Sequence, residues 1–221
     1  MESNQNVEIV VPAKQSFATE WASDQKAFKG VPWGKAMMWI FLVSDTFVFS
    51  IFLISYMTVR FSAKSDWPNA SEVFGLHVGH YNVPLLLIAI MTFILITSIV
   101  FVSAQTATKN NQFEIVKKRL LIIGGLSLAF IVGQLLVWLQ LINLGYYVSS
   151  NPANAYFYVF TALHGLHLFG GLVYWLMTIK KVWKPNEVII ANVKHTVELC
   201  AIYWHFLFAV WLVLFGLMFF T

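Results

Sequence analysis

The sequence predicts an all-α integral membrane protein, a bundle of five transmembrane helices with the N-terminus cytoplasmic and the C-terminus outside. Three observations predict it. The 221 residues are 59% hydrophobic and only 11% charged, where soluble domains carry about 45–50% and about 25%; the mean hydropathy is +0.72. The apolar residues are bunched into five runs, each at least about 20 residues long, the length that crosses a bilayer at about 1.5 Å per residue. The basic residues gather on alternate connections between those runs. A chain with so little charge cannot clothe a water-facing surface, which excludes a cytosolic enzyme, a disordered segment and a DNA-binding module.

Taken in order, residues 1–32 form a polar tail, mixing Gln, Asn, Ser, Lys and Glu without a sustained period. It holds no apolar stretch of signal-peptide length, so targeting is expected to reside in the first span. Pro32-Trp33-Gly34 marks the entry to the membrane domain, residues 33–221. Spans are predicted at about 34–60, 81–106, 120–147, 155–180 and 198–220. Breakers separate them: Trp67-Pro68-Asn69, Ser149-Ser150-Asn151-Pro152 and Lys184-Pro185-Asn186. Pro84 is placed in the first turn of the second span, where its missing N–H costs nothing.

Charge sets the predicted orientation. Lys14, Lys26, Lys29 and Lys35 precede or open the first span, and Lys109, Lys117, Lys118 and Arg119 lie between the second and third. Lys180, Lys181, Lys184 and Lys194 lie between the fourth and fifth, leaving only Arg60 and Lys64 for the other side. That asymmetry places the tail inside. The net charge of +4 is therefore topology and contact with anionic headgroups, and no nucleic acid is needed to explain it. The single cysteine, Cys200, has no partner for an intrachain disulfide or a cysteine-based metal cluster.

Ionisable and amide groups inside the spans are the candidate functional residues, because lipid penalises them unless they are paired. Asp45 lies about 16 Å into the first span. It reads either as a pathway-facing carboxylate or as a hydrogen-bonded side chain that locks helix packing, with His164 and His205 as its expected donors. His164 and His167 are three apart in the fourth span, and His205 is midway along the fifth. They read either as axial ligands of a haem or copper or as interhelical hydrogen-bonding groups. Glu198 stands two turns before His205, on the same face. Gln134 and Gln140 are amide glue, worth about 0.5–2 kcal/mol each. Asp45, Gln134, His164, His167, Glu198 and His205 are thus expected to form one buried polar seam, with no catalytic or metal-ligating residue. Gly124, Gly125, Gly165, Gly170 and Gly171 are expected to let helices approach closely. Tyr203 and Trp204 read as packing residues.

Two stretches carry a resemblance. Thr161-Ala-Leu-His164-Gly165-Leu-His167 and Glu198-Leu-Cys-Ala-Ile-Tyr203-Trp204-His205-Phe206, with Trp211 beyond, resemble subunit III of haem-copper terminal oxidases. Ser44-Asp45 and Val83-Pro84-Leu85-Leu86 resemble its earlier core helices. The likeness covers about residues 33–220 and is to the five-helix bacterial form. Val137 and Phe208 stand where the family carries acids.

The resemblance implies a non-catalytic subunit of a multi-pass complex in the bacterial plasma membrane. Its partners would be a subunit I, bearing haem and copper, and a subunit II; together they reduce oxygen to water and pump protons. This chain would bind no cofactor except phospholipid, stabilise subunit I and support its proton uptake. The alternatives are an accessory subunit of a bacterial nitric oxide reductase, an independent b-type membrane cytochrome, and a small transporter.

Overall fold

The computed structural model describes residues 33–62, 76–78, 81–83, 85–110, 112–143, 145–183 and 190–220. Five helices carry the fold: α1 (Trp33–Ser62), α2 (Leu85–Lys109), α3 (Phe113–Asn143), α4 (Pro152–Trp183) and α5 (Ile190–Phe220). All five are long and apolar enough to cross a membrane. Between α1 and α2 lie two short strands, β1 (Leu76–Val78) and β2 (Tyr81–Val83). They pair antiparallel with Leu76 opposite Val83. The tail and Pro84 lie outside the described residues.

The second span was expected to begin at residue 81, but Tyr81–Val83 is strand. Val83 precedes a proline, whose ring disfavours helical backbone in the residue before it; the helix starts at Leu85. At most other boundaries the helices outrun the predicted spans, because charge ends a membrane span without ending a helix. α3 takes in Glu114, Lys117, Lys118 and Arg119, with Lys117 Nζ on Glu114 Oε1 at 2.7 Å. α4 starts earlier than expected. Asn151 caps it, its Oδ1 accepting the Ala153 N–H at 2.9 Å, and Pro152 takes the first helical position, where no N–H is required.

α3 stops at Asn143, short of the expected 147. Gly145 adopts φ +84°, which side chains with a Cβ rarely tolerate. Its N–H reaches the Ile142 carbonyl and the Tyr146 N–H reaches Leu141, both at 3.0 Å. This pair of reversed bonds closes the helix end.

From Leu42 onward the chain forms the bundle described here; the opening of α1 up to Phe41 belongs to a separate unit. α2, α3, α4 and α5 make a closed ring, each packed directly on the next and α5 back on α2. α1 meets α4 through large side chains. Tyr56 packs edge-on against Tyr156 and Phe160, at ring separations of 5.6 and 5.8 Å. Beside them Ser55 and Tyr156 share a 2.6 Å hydrogen bond. The buried face of this stretch of α1 is Leu42, Asp45, Phe49 and Tyr56, spaced by threes, fours and seven, as one helical stripe requires. The opposite face is apolar too: Ile51, Ile54 and Phe61 are each about two-thirds exposed or more. A helix greasy all round hides its buried face from any sequence pattern.

The basic residues converge at one end of the ring. Arg119, at the start of α3, donates to the Ser103 carbonyl near the end of α2. Lys117 sits 5.9 Å from the centre of the Trp183 ring at the end of α4, and Lys181 reaches Thr196 near the start of α5.

Candidate functional site

The site is built where α1 and α5 meet α4. Asp45 is buried on α1. Its Oδ2 lies 3.2 Å from His167 Nε2, at ion-pair distance but off the line of a hydrogen bond. His167 Nδ1 faces the Leu163 carbonyl of its own helix at 2.8 Å. A carbonyl only accepts, so that nitrogen carries a proton. The contact between Nε2 and Asp45 then attracts when one further proton resides on the pair, as imidazolium with carboxylate or as imidazole with carboxylic acid. Phe49, one turn beyond Asp45, lies against the His167 ring at 5.2 Å.

Tyr203 closes the cluster from α5, donating its hydroxyl to the His167 carbonyl at 2.8 Å. Its ring reaches that point because Gly171 lies beneath it: a Cβ there would fall 2.9 Å from Cε1. Tyr203, read from sequence as a packing residue, is therefore a positioning residue of the site.

The structure corrects the histidine expected beside Asp45: it is His167, at ion-pair distance, and not His164 or His205. His164 and His167 point about 60° apart on α4. The face of Tyr156, Phe160 and His167 meets α1, while His164 turns toward α3 and α5. There its ring lies tilted against Trp211 at 4.8 Å and meets Phe130 edge-on at 6.1 Å. Among the described residues His164 Nδ1 has no hydrogen-bond partner. His205 turns Nδ1 to the Ala201 carbonyl of its own helix. The single expected seam is thus divided, with Asp45, His167 and Tyr203 in one cluster and His164 with His205 lining a separate cavity. Gln134 is buried on α3, and its Nε2 has no partner among the described residues. Glu198 is half-buried on α5. The Gln140 side chain lies outside the described residues.

The interhelical hydrogen bonds expected from histidines are made instead by aromatic donors. Trp138 Nε1 donates to Thr161 Oγ1 at 3.0 Å and Trp175 Nε1 to the Leu120 carbonyl at 2.9 Å. The available signal was chemical: an indole N–H in an apolar helix must find an acceptor, and its ring reaches past its own backbone to a neighbour's.

The expected close approaches reduce to two. A Cβ at Gly124 would strike Trp175, and one at Gly171 would strike Tyr203; Gly125 and Gly165 face open space, and Gly170 meets Tyr203 only at ordinary distance.

His164 and His205 line one cavity, of about 40 Å³. The purified chain, freed of partners, is expected to show no haem absorbance. A stoichiometric b-type spectrum that His205→Leu abolishes would make it a cytochrome.

These features define a class: a polytopic helical membrane subunit whose polar groups face inward. The comparisons name the family. The model for "Cytochrome c oxidase subunit III" matches residues 18–221, so the last part of the tail, expected to fall outside the likeness, belongs to it as well. The cytochrome c oxidase subunit 3 of Thermostichus vulcanus is 30% identical over 81% of this chain and 83% of its own length. The cytochrome bo(3) ubiquinol oxidase subunit 3 of Buchnera aphidicola (subsp. Baizongia pistaciae) is 29% identical over 80% and 86%. The chain belongs to the subunit III family of haem-copper oxidases and is a membrane subunit of such a respiratory complex.

Proposed function

We propose that the chain is a non-catalytic subunit of a bacterial haem-copper oxidase. It packs against the haem- and copper-bearing subunit I, alongside a subunit II, in the plasma membrane. It stabilises that neighbour, holds phospholipid on its apolar faces and supports proton uptake during oxygen reduction. The observation that carries this reading is the direction of the polar groups. Asp45, His167 and Tyr203 meet one another inside the bundle, while Ile51, Ile54, Leu166 and Phe169 cover outer faces. Groups that satisfy one another hold a shape, and apolar outer faces suit lipid and a second membrane subunit. Relatives named for both cytochrome c and ubiquinol oxidases match the chain at similar identity. That suits a subunit standing outside the electron path.

Affinity purification from a mild detergent tests the reading. Subunits I and II should come with the tagged chain, with haem, copper and oxygen consumption. Nitric oxide reduction without oxygen consumption would assign the chain to a reductase, and recovery of the chain alone would overturn the proposal.

The reading puts the N-terminus inside, supported by the basic residues that meet at one end of the ring. Asn110 and Ser149 are exposed, at opposite ends of α3. An Asn110→Cys variant should label only after reagent enters the cell, and Ser149→Cys should label from outside. Native Cys200 is fully buried and gives little background. Reversed labelling would invert the topology.

A further inference from the structure

Inside the ring of α2, α3, α4 and α5 lies the cavity of about 40 Å³ already noted, apart from the Asp45 cluster. Its wall is mostly apolar, formed by Phe101, Phe130 and Leu207 among others. Into this wall are set His164, His205, Trp211, Thr97, Ser98 and Ser127. His164 is 3% exposed, and its Nδ1 has no hydrogen-bond partner; Trp211 is equally buried, and its Nε1 has none among the described residues. Unpartnered polar atoms beside a space of this size call for an occupant.

The chemistry of the wall selects it. The Ser127 hydroxyl gives its proton to the Ile123 carbonyl at 2.7 Å, and Thr97 gives its own to Phe93 at 2.8 Å. Both oxygens therefore offer the cavity only lone pairs. His205 has committed its Nδ1 proton to Ala201, so a neutral ring presents a lone pair at Nε2. A neutral His164 offers one donor and one acceptor, and Trp211 one donor. Trp204, on the same wall, adds a second indole Nε1 without a partner among the described residues, and the Ser98 hydroxyl adds one donor and one acceptor. The wall therefore mixes donors and acceptors. A carboxylate, phosphate or ester brings only acceptors and leaves the wall's acceptors unmet, and an acyl chain satisfies nothing. The fitting ligand is small, neutral and able both to donate and to accept. A water needs roughly 10–15 Å³ and two to four polar partners, so about 40 Å³ has room for at most about three, and the polar groups of the wall suffice to hold one or two.

We propose that this cavity is a built water site, in which ordered water bridges His164 and Trp211 to the Ser127 and Thr97 hydroxyl oxygens at membrane depth.

The test is a map of the intact oxidase complex, resolved well enough to show ordered water. One or two isolated peaks are expected within about 3.2 Å of a His164 ring nitrogen. Ser127→Val removes one acceptor and adds a methyl group, and at least one peak should be lost in that complex. If the variant does not assemble, the unmodified complex still decides. No peak beside His164, elongated density of an acyl chain, or a stoichiometric metal at that position would each overturn the proposal. So would unchanged peaks in an assembled Ser127→Val complex.

Discussion

Gly124→Ala is expected to break the packing of α3 on α4 and to lower sharply the yield of assembled complex. The added Cβ would lie 2.2 Å from Trp175 Cζ2, 2.5 Å from Cη2 and 2.9 Å from Cε2. Contacts that short do not occur, so the indole must move. It is held, because its Nε1 donates to the Leu120 carbonyl on the same stretch of α3. Overpacking costs about 1–3 kcal/mol, and losing the hydrogen bond adds about 1 kcal/mol. The sum is a large part of a typical stability of about 5–15 kcal/mol. Gly125→Ala and Gly165→Ala serve as controls: a Cβ at either meets nothing within 4 Å, and both should melt like the unmodified complex. Adding Trp175→Phe to Gly124→Ala should recover part of the loss. Melting temperature and assembly yield check all four variants; an unperturbed Gly124→Ala complex would mean that Trp175 does not sit where the structure places it.

Substitutions of Asp45 should separate packing from proton chemistry. Asp45→Leu leaves His167 Nε2 facing a methyl group inside the bundle, at a cost of about 1–3 kcal/mol, and should weaken assembly. Asp45→Asn keeps size and polarity, and its amide N–H can meet the lone pair of a neutral Nε2. If the pair locks α1 to α4, the Asn variant should assemble and turn over almost normally. If Asp45 delivers protons to its neighbour, Asn should assemble fully and turn over slowly, because an amide does not exchange a proton as a carboxyl does. The surroundings favour packing: Phe49 covers the His167 ring, Tyr203 pins the adjoining backbone, and Asp45 itself is buried. Assembly yield, measured beside oxygen consumption, distinguishes the two roles.

Five spans, their order, the break at Ser149-Ser150-Asn151-Pro152 and the family were legible in the chain, because lipid imposes length and apolarity on each segment separately. The late starts predicted for the third and fifth spans arose from the same logic, since charges at Lys117–Arg119 and Lys194 keep those positions out of lipid but not out of a helix. Two members of the cluster were singled out as well, because ionisable groups in lipid are few and Asp45 and His167 were among them; Tyr203 was read only as packing. The pairing of Asp45 with His167 was not legible. His164 and His167 differ by about 60° around α4, and only the docking of α1 on the Tyr156–Phe160 face decides that His167 meets the acid. In the same way Gly124 and Gly125 are equivalent in sequence, yet one lies under Trp175 and the other faces open space. The physical reason is that lipid is as apolar as the helix faces themselves, so hydropathy marks a segment as buried in the membrane but not which side of it touches protein. Rotation about each helix axis is set by interlocking side chains and a few hydrogen bonds between helices, and these exist only once the tertiary structure has formed.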